Sequence, residues 1–459
     1  MQSFKNKKVL IFGLGLNDGG LGMTEFFIKQ GAKVTITDGK SHEQLKPTLE
    51  KLKKYENKIT LHLGGHKEED FLENDIIVRN PAIKPDNPYL KIAQDNGKQI
   101  EMEMSLFHSY SPCPIIGVTG TRGKSTTTTL IYEILKTKYG EKMFLGGNIG
   151  KSAIREIDKL DNNSLAVLEL SSFQLDTMGK NNLSPNIAVV TNMFTDHQDW
   201  HPTMNHYIES KKNIYKNQEK DDYLVLNIDN DITKAFINDS KSKVITYSLM
   251  DKNANYFLNE NLEVFENGKK LLNLSNAKLK GKHNLYNMLS AISTVRIYGI
   301  DVDNILEVLT TFKGVHGRQE LVREINGIKF YNDTTATSVE AVLAMFDTFG
   351  KDYKGKIVMI SGGVDKGLDY SLLEDGMRKY LKALVLLEGT ASERIYTQLE
   401  GFNNIHKYYS DFSEAIQKAY DIAEKGDIVI LCPGASSFNM FANEFDRGVK
   451  FVNYVNLLK

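Results

Sequence analysis

The sequence predicts an α/β protein of three domains, and three observations carry that expectation. Short apolar runs of strand length alternate with amphipathic stretches from one end of the chain to the other, the pattern of parallel sheets covered by helices. A Gly-rich turn follows the first of these runs, and a Gly-rich turn ending in Gly-Lys-Ser follows another near residue 115. At 459 residues the chain exceeds what one ordinary core supports, and a prior of roughly 150 residues per domain suggests about three. The expected architecture is an N-terminal Rossmann-like domain over 1–111, a central P-loop ATPase-type mixed sheet over 112–313, and a C-terminal Rossmann-like domain over 314–459.

The first segment reads Lys8-Val-Leu-Ile-Phe-Gly-Leu-Gly15, then a helix-like stretch to Gln30, then a strand around Val34–Thr37 ending at Asp38. A strand, a Gly-rich turn, a helix and a strand ending in an acid form the unit that places a nucleotide or pyrophosphate at the turn. The strict G-x-G-x-x-G spacing is broken by Asn17-Asp-Gly-Gly-Leu-Gly22, read as a lengthened turn. Ser111-Pro-Cys-Pro114 interrupts the pattern and marks a boundary. Strands are then expected at Ile115–Thr119, Ala166–Leu170, Ile187–Thr191 and Leu224–Asn227, and later at Lys356–Ser361, Ala383–Glu388 and Asp427–Leu431. The Asn-rich stretch 251–275 reads as loops with a small β excursion.

Composition is that of a globular protein, with 41% hydrophobic and 25% charged residues. A formal net charge of −1 gives no basic field for nucleic acid. Two cysteines, Cys113 and Cys432, argue against a disulfide scaffold and fit a reducing compartment. With no signal-peptide layout and no apolar run of the roughly 18 residues a membrane helix needs, a cytoplasmic monomer without membrane or nucleic-acid partners is expected.

The stretch Gly117-x-x-Gly120-x-x-Gly123-Lys124-Ser125, between a strand and a helix opening Thr126-Thr-Thr-Thr, is the strongest chemical signal. Glycines let consecutive N–H groups curl inward toward phosphate oxygens, and the helix N-terminus adds partial positive charge. Lys124 can bridge the β- and γ-phosphates of ATP, and the Ser125 hydroxyl can ligate Mg²⁺. The common loop has glycine where Val118 stands, so this is a variant form.

Other strand ends carry polar residues whose own chemistry leaves alternatives open. Glu169, after a buried strand, sits where such sheets place ligands, although a strand-end acid facing solvent is the commoner case. His197 in Thr191-Asn-Met-Phe-Thr-Asp-His197 taken alone is more often structural than a ligand. Lys211 and Lys212 read as a solvated basic face. Asn284 and Asn287 read as helix-capping residues.

Thr119-Gly-Thr-Arg-Gly-Lys-Ser-Thr126 resembles the ATP loop of the Mur ligase family, whose members add amino acids to the peptidoglycan precursor. That resemblance implies ATP contacts from Gly120, Thr121, Arg122, Gly123, Lys124, Ser125 and Thr126. Glu169-Leu-Ser-Ser-Phe-Gln-Leu175 resembles the segment that holds a Mg²⁺ ligand, and His197 matches the family's ligand to a second Mg²⁺. Lys211 matches a lysine carbamylated by CO₂, which turns a cation into an anion that helps fix the metal. Lys124, Glu169, His197 and Lys211 are thereby the expected catalytic set, with Ser125, Glu169, His197 and Lys211 around the metals.

By the same resemblance Asn148 lies near the precursor and the γ-phosphate, and Asn284 and Asn287 contact adenine. Arg318 reaches the nucleotide phosphates and Asp333 the ribose. Gly15, Leu16, Asn17 and Asp38 face the UDP portion. Thr337, Lys366, Ser437 and Phe438 serve the amino acid, as in the D-glutamate-adding members of the family. The implied substrates are ATP, UDP-N-acetylmuramoyl-L-alanine and D-glutamate, joined through an acyl phosphate.

Two departures from the family pattern stand out: Asp38-Gly39 beside the Asn17–Gly22 stretch, and Thr335 where many D-glutamate-adding members carry Lys. L-glutamate or another amino acid therefore remains open as the acceptor. From another class, a P-loop NTPase switch would hydrolyse ATP without any acceptor.

Overall fold

The computed structural model describes residues 4–459 apart from Asn17, Gly150, Lys151, 196–199 and Phe438, together with the side chain of Glu340. Twenty strands among the described residues form three sheets. The chain divides into two compact units, Met1–Ala277 with His283–Thr310, and Lys278–Lys282 with Thr311–Lys459.

The first sheet contains β1 (Lys8–Phe12), β2 (Lys33–Asp38), β3 (Ile59–Leu63), β4 (Ile76–Arg79) and β5 (Gln99–Glu101) in the order β3-β2-β1-β4-β5. All its pairings are parallel. Strand order reverses at β1, and the crevice beyond the carboxyl end of that strand is where an open α/β sheet receives a ligand. The expected lengthened turn over Asn17–Gly22 is corrected here: the helix Asp18–Lys29 already begins at Asp18. Its glycines serve close packing, since a Cβ on Gly20 would lie 2.2 Å from the Leu14 carbonyl oxygen and one on Gly22 would lie 2.0 Å from Ser152 Oγ.

The second sheet runs β14-β13-β12-β11-β10-β9-β6-β8-β7. Its parallel core is β6 (Ile115–Thr119), β7 (Met143–Gly147), β8 (Leu165–Glu169), β9 (Ile187–Val190), β10 (Tyr223–Asn227) and β11 (Lys243–Ser248). Every residue of β6, β8 and β9 is buried, as the continuous apolar runs of a doubly covered parallel sheet require. The expected β excursion is the short meander β12 (Tyr256–Leu258), β13 (Glu263–Glu266) and β14 (Lys269–Asn273), whose last two pairings are antiparallel. Val9 and Ile11 of β1, Phe107, Ile154, and Ala166 and Leu168 of β8 belong to one apolar cluster, so the first two sheets share a core.

In the second unit, β15 (Glu320–Ile325), β16 (Ile328–Asn332), β17 (Ile357–Ser361), β18 (Leu381–Leu387), β19 (Ile405–Tyr409) and β20 (Ile428–Leu431) are ordered β15-β16-β20-β17-β18-β19. Only the β15–β16 pairing is antiparallel. Fully buried runs such as Ile-Val-Met-Ile-Ser in β17 and Ile-Val-Ile-Leu in β20 hold it together, each such side chain contributing about 1.5–3 kcal/mol. The carboxyl ends of β16, β17 and β20 lead into the segments that carry Asp333, Lys366 and Ser437.

Candidate active site

In the first unit, β6 lies between β9 and β8, where the strand order reverses, and the Gly-Lys-Ser loop leaves its carboxyl end. The helix Lys124–Tyr139 starts from Gly123 in the left-handed region, a residue with no side chain to cap its first amides. Two glycines carry the geometry. Gly120 has φ +142° and a Cβ there would lie 2.0 Å from Thr191 Oγ1, while Gly123 has φ +82° and its Cβ would lie 2.2 Å from Asn287 Oδ1.

The loop is held from β9's side. Thr121 N donates to Asn192 O at 2.9 Å, Arg122 N donates to Asn192 Oδ1 at 2.9 Å, and the Thr191 hydroxyl donates to Arg122 O at 2.6 Å. Lys124 Nζ donates to the carbonyls of Gly120 and Thr121 at 3.1 and 2.9 Å, so its ammonium spans the loop. Thr126 follows in the first turn of the helix. Asn287 Nδ2 donates to Asn284 Oδ1 at 3.1 Å, and Asn287 lies against Gly123, which brings both asparagines to the loop.

Four of the expected residues gather around the β6 and β8 ends. The Ser125 hydroxyl donates to Glu169 Oε2 at 2.5 Å, both groups being buried. Asn148 donates to Glu169 twice, from its backbone N to the carbonyl at 2.9 Å and from Nδ2 to Oε1 at 3.2 Å. Gly147 permits this approach, because a Cβ would fall 2.1 Å from Glu169 O. Lys211 is 2% exposed, and its amine donates to Thr119 Oγ1 at 3.1 Å. Lys212 instead pairs with Asp239 at 2.6 Å. A hydroxyl and a carboxylate oxygen converging beside a phosphate loop form the hard-oxygen donor set that Mg²⁺ takes. The expected ligand His197 lies outside the described residues, as do Asn17 and Phe438.

At the end of β1, Gly15 N donates to Asp38 Oδ2 at 2.9 Å and Lys40 N to Asp38 Oδ1 at 2.8 Å. Asp38 therefore clasps the Gly-rich turn to the end of β2, while Leu16 is 52% exposed beside it.

The second unit has its own cluster at strand ends. Asp333 is 6% exposed, accepts from Gln319 N at 3.2 Å and lies beside Cys432 Sγ at 3.8 Å. Burial pushes its carboxyl up to about 7, against the pull of the Gln319 amide and of Arg318. Arg318 is exposed. Lys366 Nζ donates to Thr337 O at 3.5 Å, joining the β17 and β16 loops. Ser437 is 2% exposed, and its Oγ has no hydrogen-bond partner among the described residues. Thr335 turns its hydroxyl to Gly317 O at 3.0 Å.

Sequence reasoning missed several supporting residues. Thr119 meets Lys211, Asn192 holds the loop backbone, and Tyr207 OH lies 3.2 Å from Thr121 Oγ1. His201 is buried with Nε2 at 2.9 Å from Ser172 Oγ and Nδ1 at 3.1 Å from His206 Nδ1. Nothing in the local spacing of one sequence signals these partnerships.

Three parallel-type sheets, a phosphate loop at a switch point and buried oxygen donors beside it define a P-loop nucleotide-binding α/β protein. Family models match along most of the chain: the Mur ligase MurD-like N-terminal domain at residues 7–101, the Mur ligase middle domain at 118–295 and the Mur ligase glutamate ligase domain at 317–435. The chain belongs to the Mur ligase family. The UDP-N-acetylmuramoylalanine–D-glutamate ligase of Acetivibrio thermocellus is 39% identical over 475 residues, covering 100% of this chain and 98% of the relative. The enzyme of the same name from Clostridium novyi is 40% identical over 466 residues, covering 99% and 97%. Among solved structures, UDP-N-acetylmuramate-alanine ligase MurC of Thermotoga maritima shares the fold with a TM-score of 0.64 at 22% identity, covering 98% of this chain and 100% of that one. MurF ligase of Thermotoga maritima in complex with ADP gives a TM-score of 0.59 at 17% identity, covering 99% and 96%.

Proposed function

We propose that this chain is an ATP-dependent amide ligase that adds D-glutamate to UDP-N-acetylmuramoyl-L-alanine in peptidoglycan precursor synthesis. The observation that carries the reading is the Ser125–Glu169–Asn148 cluster at the mouth of the phosphate loop, in a chain whose full-length relatives bear that ligase's name.

A carboxylate is a poor electrophile, so the terminal alanine carboxylate first takes the γ-phosphoryl group of ATP, releasing ADP, and becomes an acyl phosphate. Two anions must meet for this, and the Lys124 ammonium at the loop lowers their repulsion. Ser125, Glu169 and His197 would hold Mg²⁺, which when bound would neutralise the remaining phosphate charge. Carbamylation would convert the Lys211 amine beside Thr119 into a further anionic oxygen donor. Arg318, Asp333, Asn284 and Asn287 serve the nucleotide, and Gly15, Leu16, Asn17 and Asp38 the UDP portion. Lys366, Thr337, Ser437 and Phe438 hold D-glutamate, whose amine attacks the acyl carbon and expels phosphate. The Ser437 Oγ, unpartnered among the described residues, supports that last role, because a buried hydroxyl without a partner is costly unless something else supplies one. Domains at 1–111, 112–313 and 314–459 remain part of this proposal, as does a monomeric state.

Phosphate release is to be measured with ATP and UDP-N-acetylmuramoyl-L-alanine, comparing D-glutamate, L-glutamate and no amino acid. Release that depends on D-glutamate supports the reading. Equal release without acceptor overturns it in favour of an NTPase switch, and dependence on L-glutamate reassigns the amino acid.

A further inference from the structure

The segment that follows β7 is gripped by two carboxylates that belong to the elements of the first sheet. Asp18, the first residue of the helix Asp18–Lys29, accepts from Ser152 N at 3.1 Å through Oδ2 and from Arg155 Nη1 at 2.6 Å through Oδ1. Glu103, the first residue of the helix Glu103–Tyr110, accepts from the Ser152 hydroxyl at 2.6 Å and from Ile154 N at 3.2 Å. Arg155 reaches Glu25 at 2.8 Å with its other arm. From below, Gly22 lets the helix approach until only a hydrogen fits beside Ser152 Oγ. Ser152 is thereby fixed by a backbone bond, a side-chain bond and a steric floor, and is 4% exposed.

Both ends of this arrangement lead to the candidate active site. Asp18 opens the helix that follows the Gly13–Leu16 turn, whose Gly15 is clasped by Asp38. Four residues before Ser152, Asn148 donates twice to Glu169, the carboxylate that meets Ser125. Burial pushes the Glu103 carboxyl up, and the Ser152 hydroxyl and the Ile154 and Ala153 amides pull it back down. A desolvated carboxylate of this kind is well satisfied only when all its donors are in place, which makes the position of Ser152 sharp rather than elastic.

Ala153, next to Ser152, lies against the end of β7, where a Cβ on Gly146 would come within 3.2 Å of its methyl. We propose that Asp18 and Glu103 are positioning residues that lock Ser152 and Ala153 against β7, and through Asn148 at the end of that strand the Glu169 carboxylate, in register with the Gly13–Leu16 turn. The inference rests on the ligase reading for the role of Glu169, while the clamp itself stands on the geometry above. Glu103→Gln keeps an accepting oxygen toward Ser152 and Ile154, Glu103→Ala removes it, and Ser152→Ala removes one hydroxyl alone.

The experiment compares the wild-type chain with these three variants by steady-state kinetics and by amide hydrogen exchange over residues 143–154. Loosening the support behind Asn148 and Glu169 predicts that Glu103→Ala and Ser152→Ala lower kcat about tenfold and raise the Mg²⁺ concentration for half-maximal rate about threefold. The KM for D-glutamate stays within about twofold of wild type, since that substrate is assigned to the second unit. Exchange at the Asn148 and Ile154 amides speeds up in both variants, and Glu103→Gln restores most of the rate. Unchanged kcat and Mg²⁺ dependence with only a lower Tm would overturn the proposal, as would unchanged exchange at Asn148. If Glu103→Ala does not fold, Ser152→Ala decides by the same readings. A wild-type chain without acceptor-dependent phosphate release would sink the ligase reading, while hydrogen exchange would still report on the clamp.

Discussion

The Ser125 hydroxyl donates to Glu169 Oε2 at 2.5 Å, tying the first turn of the phosphate-loop helix to the end of β8. One oxygen comes from the helix that follows the loop and the other from the end of β8, and their meeting point lies at the mouth of the loop. Such a pair is suited to holding a small hard cation beside a phosphate loop. Ser125→Ala and Glu169→Gln are each expected to cut acceptor-dependent phosphate release by roughly a hundredfold or more. Retention of more than a third of wild-type turnover in either variant would separate the pair from catalysis.

Lys211 is buried beside Thr119, whereas Lys212 is engaged at the surface by Asp239. Lys211→Ala is expected to abolish ligation, with no recovery on adding bicarbonate, while Lys212→Ala changes the rate by less than about twofold because exposed ion pairs contribute little. Mass spectrometry of the intact chain under CO₂ checks the carbamate directly, and wild-type-like turnover in Lys211→Ala would contradict it.

Gly123 combines φ +82° with an approach that would bring a Cβ within 2.2 Å of Asn287 Oδ1. Gly123→Ala therefore meets left-handed backbone strain of about 1–2 kcal/mol and a steric overlap at once. The expected outcome is ATP affinity weakened by at least tenfold in a titration with a nonhydrolysable analogue. Gly140 also has positive φ, but a Cβ there meets nothing within 4 Å. Gly140→Ala should leave ATP affinity unchanged.

Asp333 has its carboxyl raised to about 7 by burial. An acid whose folded-state value lies above its unfolded one weakens the fold when ionised. The cost begins above the ordinary value of 3.8 and is complete above about 7, so acidification through that window relieves it. Its size is about 4 kcal/mol at most. Asp333→Asn should raise Tm at pH 8, the gain shrinking toward pH 4, and should lower nucleotide affinity. A gain that is the same at both pH values would exclude the buried carboxylate as its cause.

Much of this was legible in the sequence because it is local. Continuous apolar runs place β6, β8 and β20, and Gly-Lys-Ser between a strand and a helix places the loop. The strand-end position of Glu169 follows from the same reading. The turn over Asn17–Gly22 was misread, since glycines there mark helix packing on Ser152 and Leu14 rather than extra loop. Thr119 and Lys211 stand 92 residues apart, and Asp18 and Ser152 stand 134 apart. Pairings of that kind are decided by how elements stack, and no local period encodes them.

In the proposed reaction the Gly117–Ser125 loop activates a carboxylate for amide formation. Its most direct measurement follows ATP, UDP-N-acetylmuramoyl-L-alanine and D-glutamate together, scoring phosphate and the extended precursor in one reaction. Both are expected to appear in equal amounts, and neither when D-glutamate is omitted. Phosphate released at the same rate without D-glutamate, or without any extended precursor, would contradict that reaction.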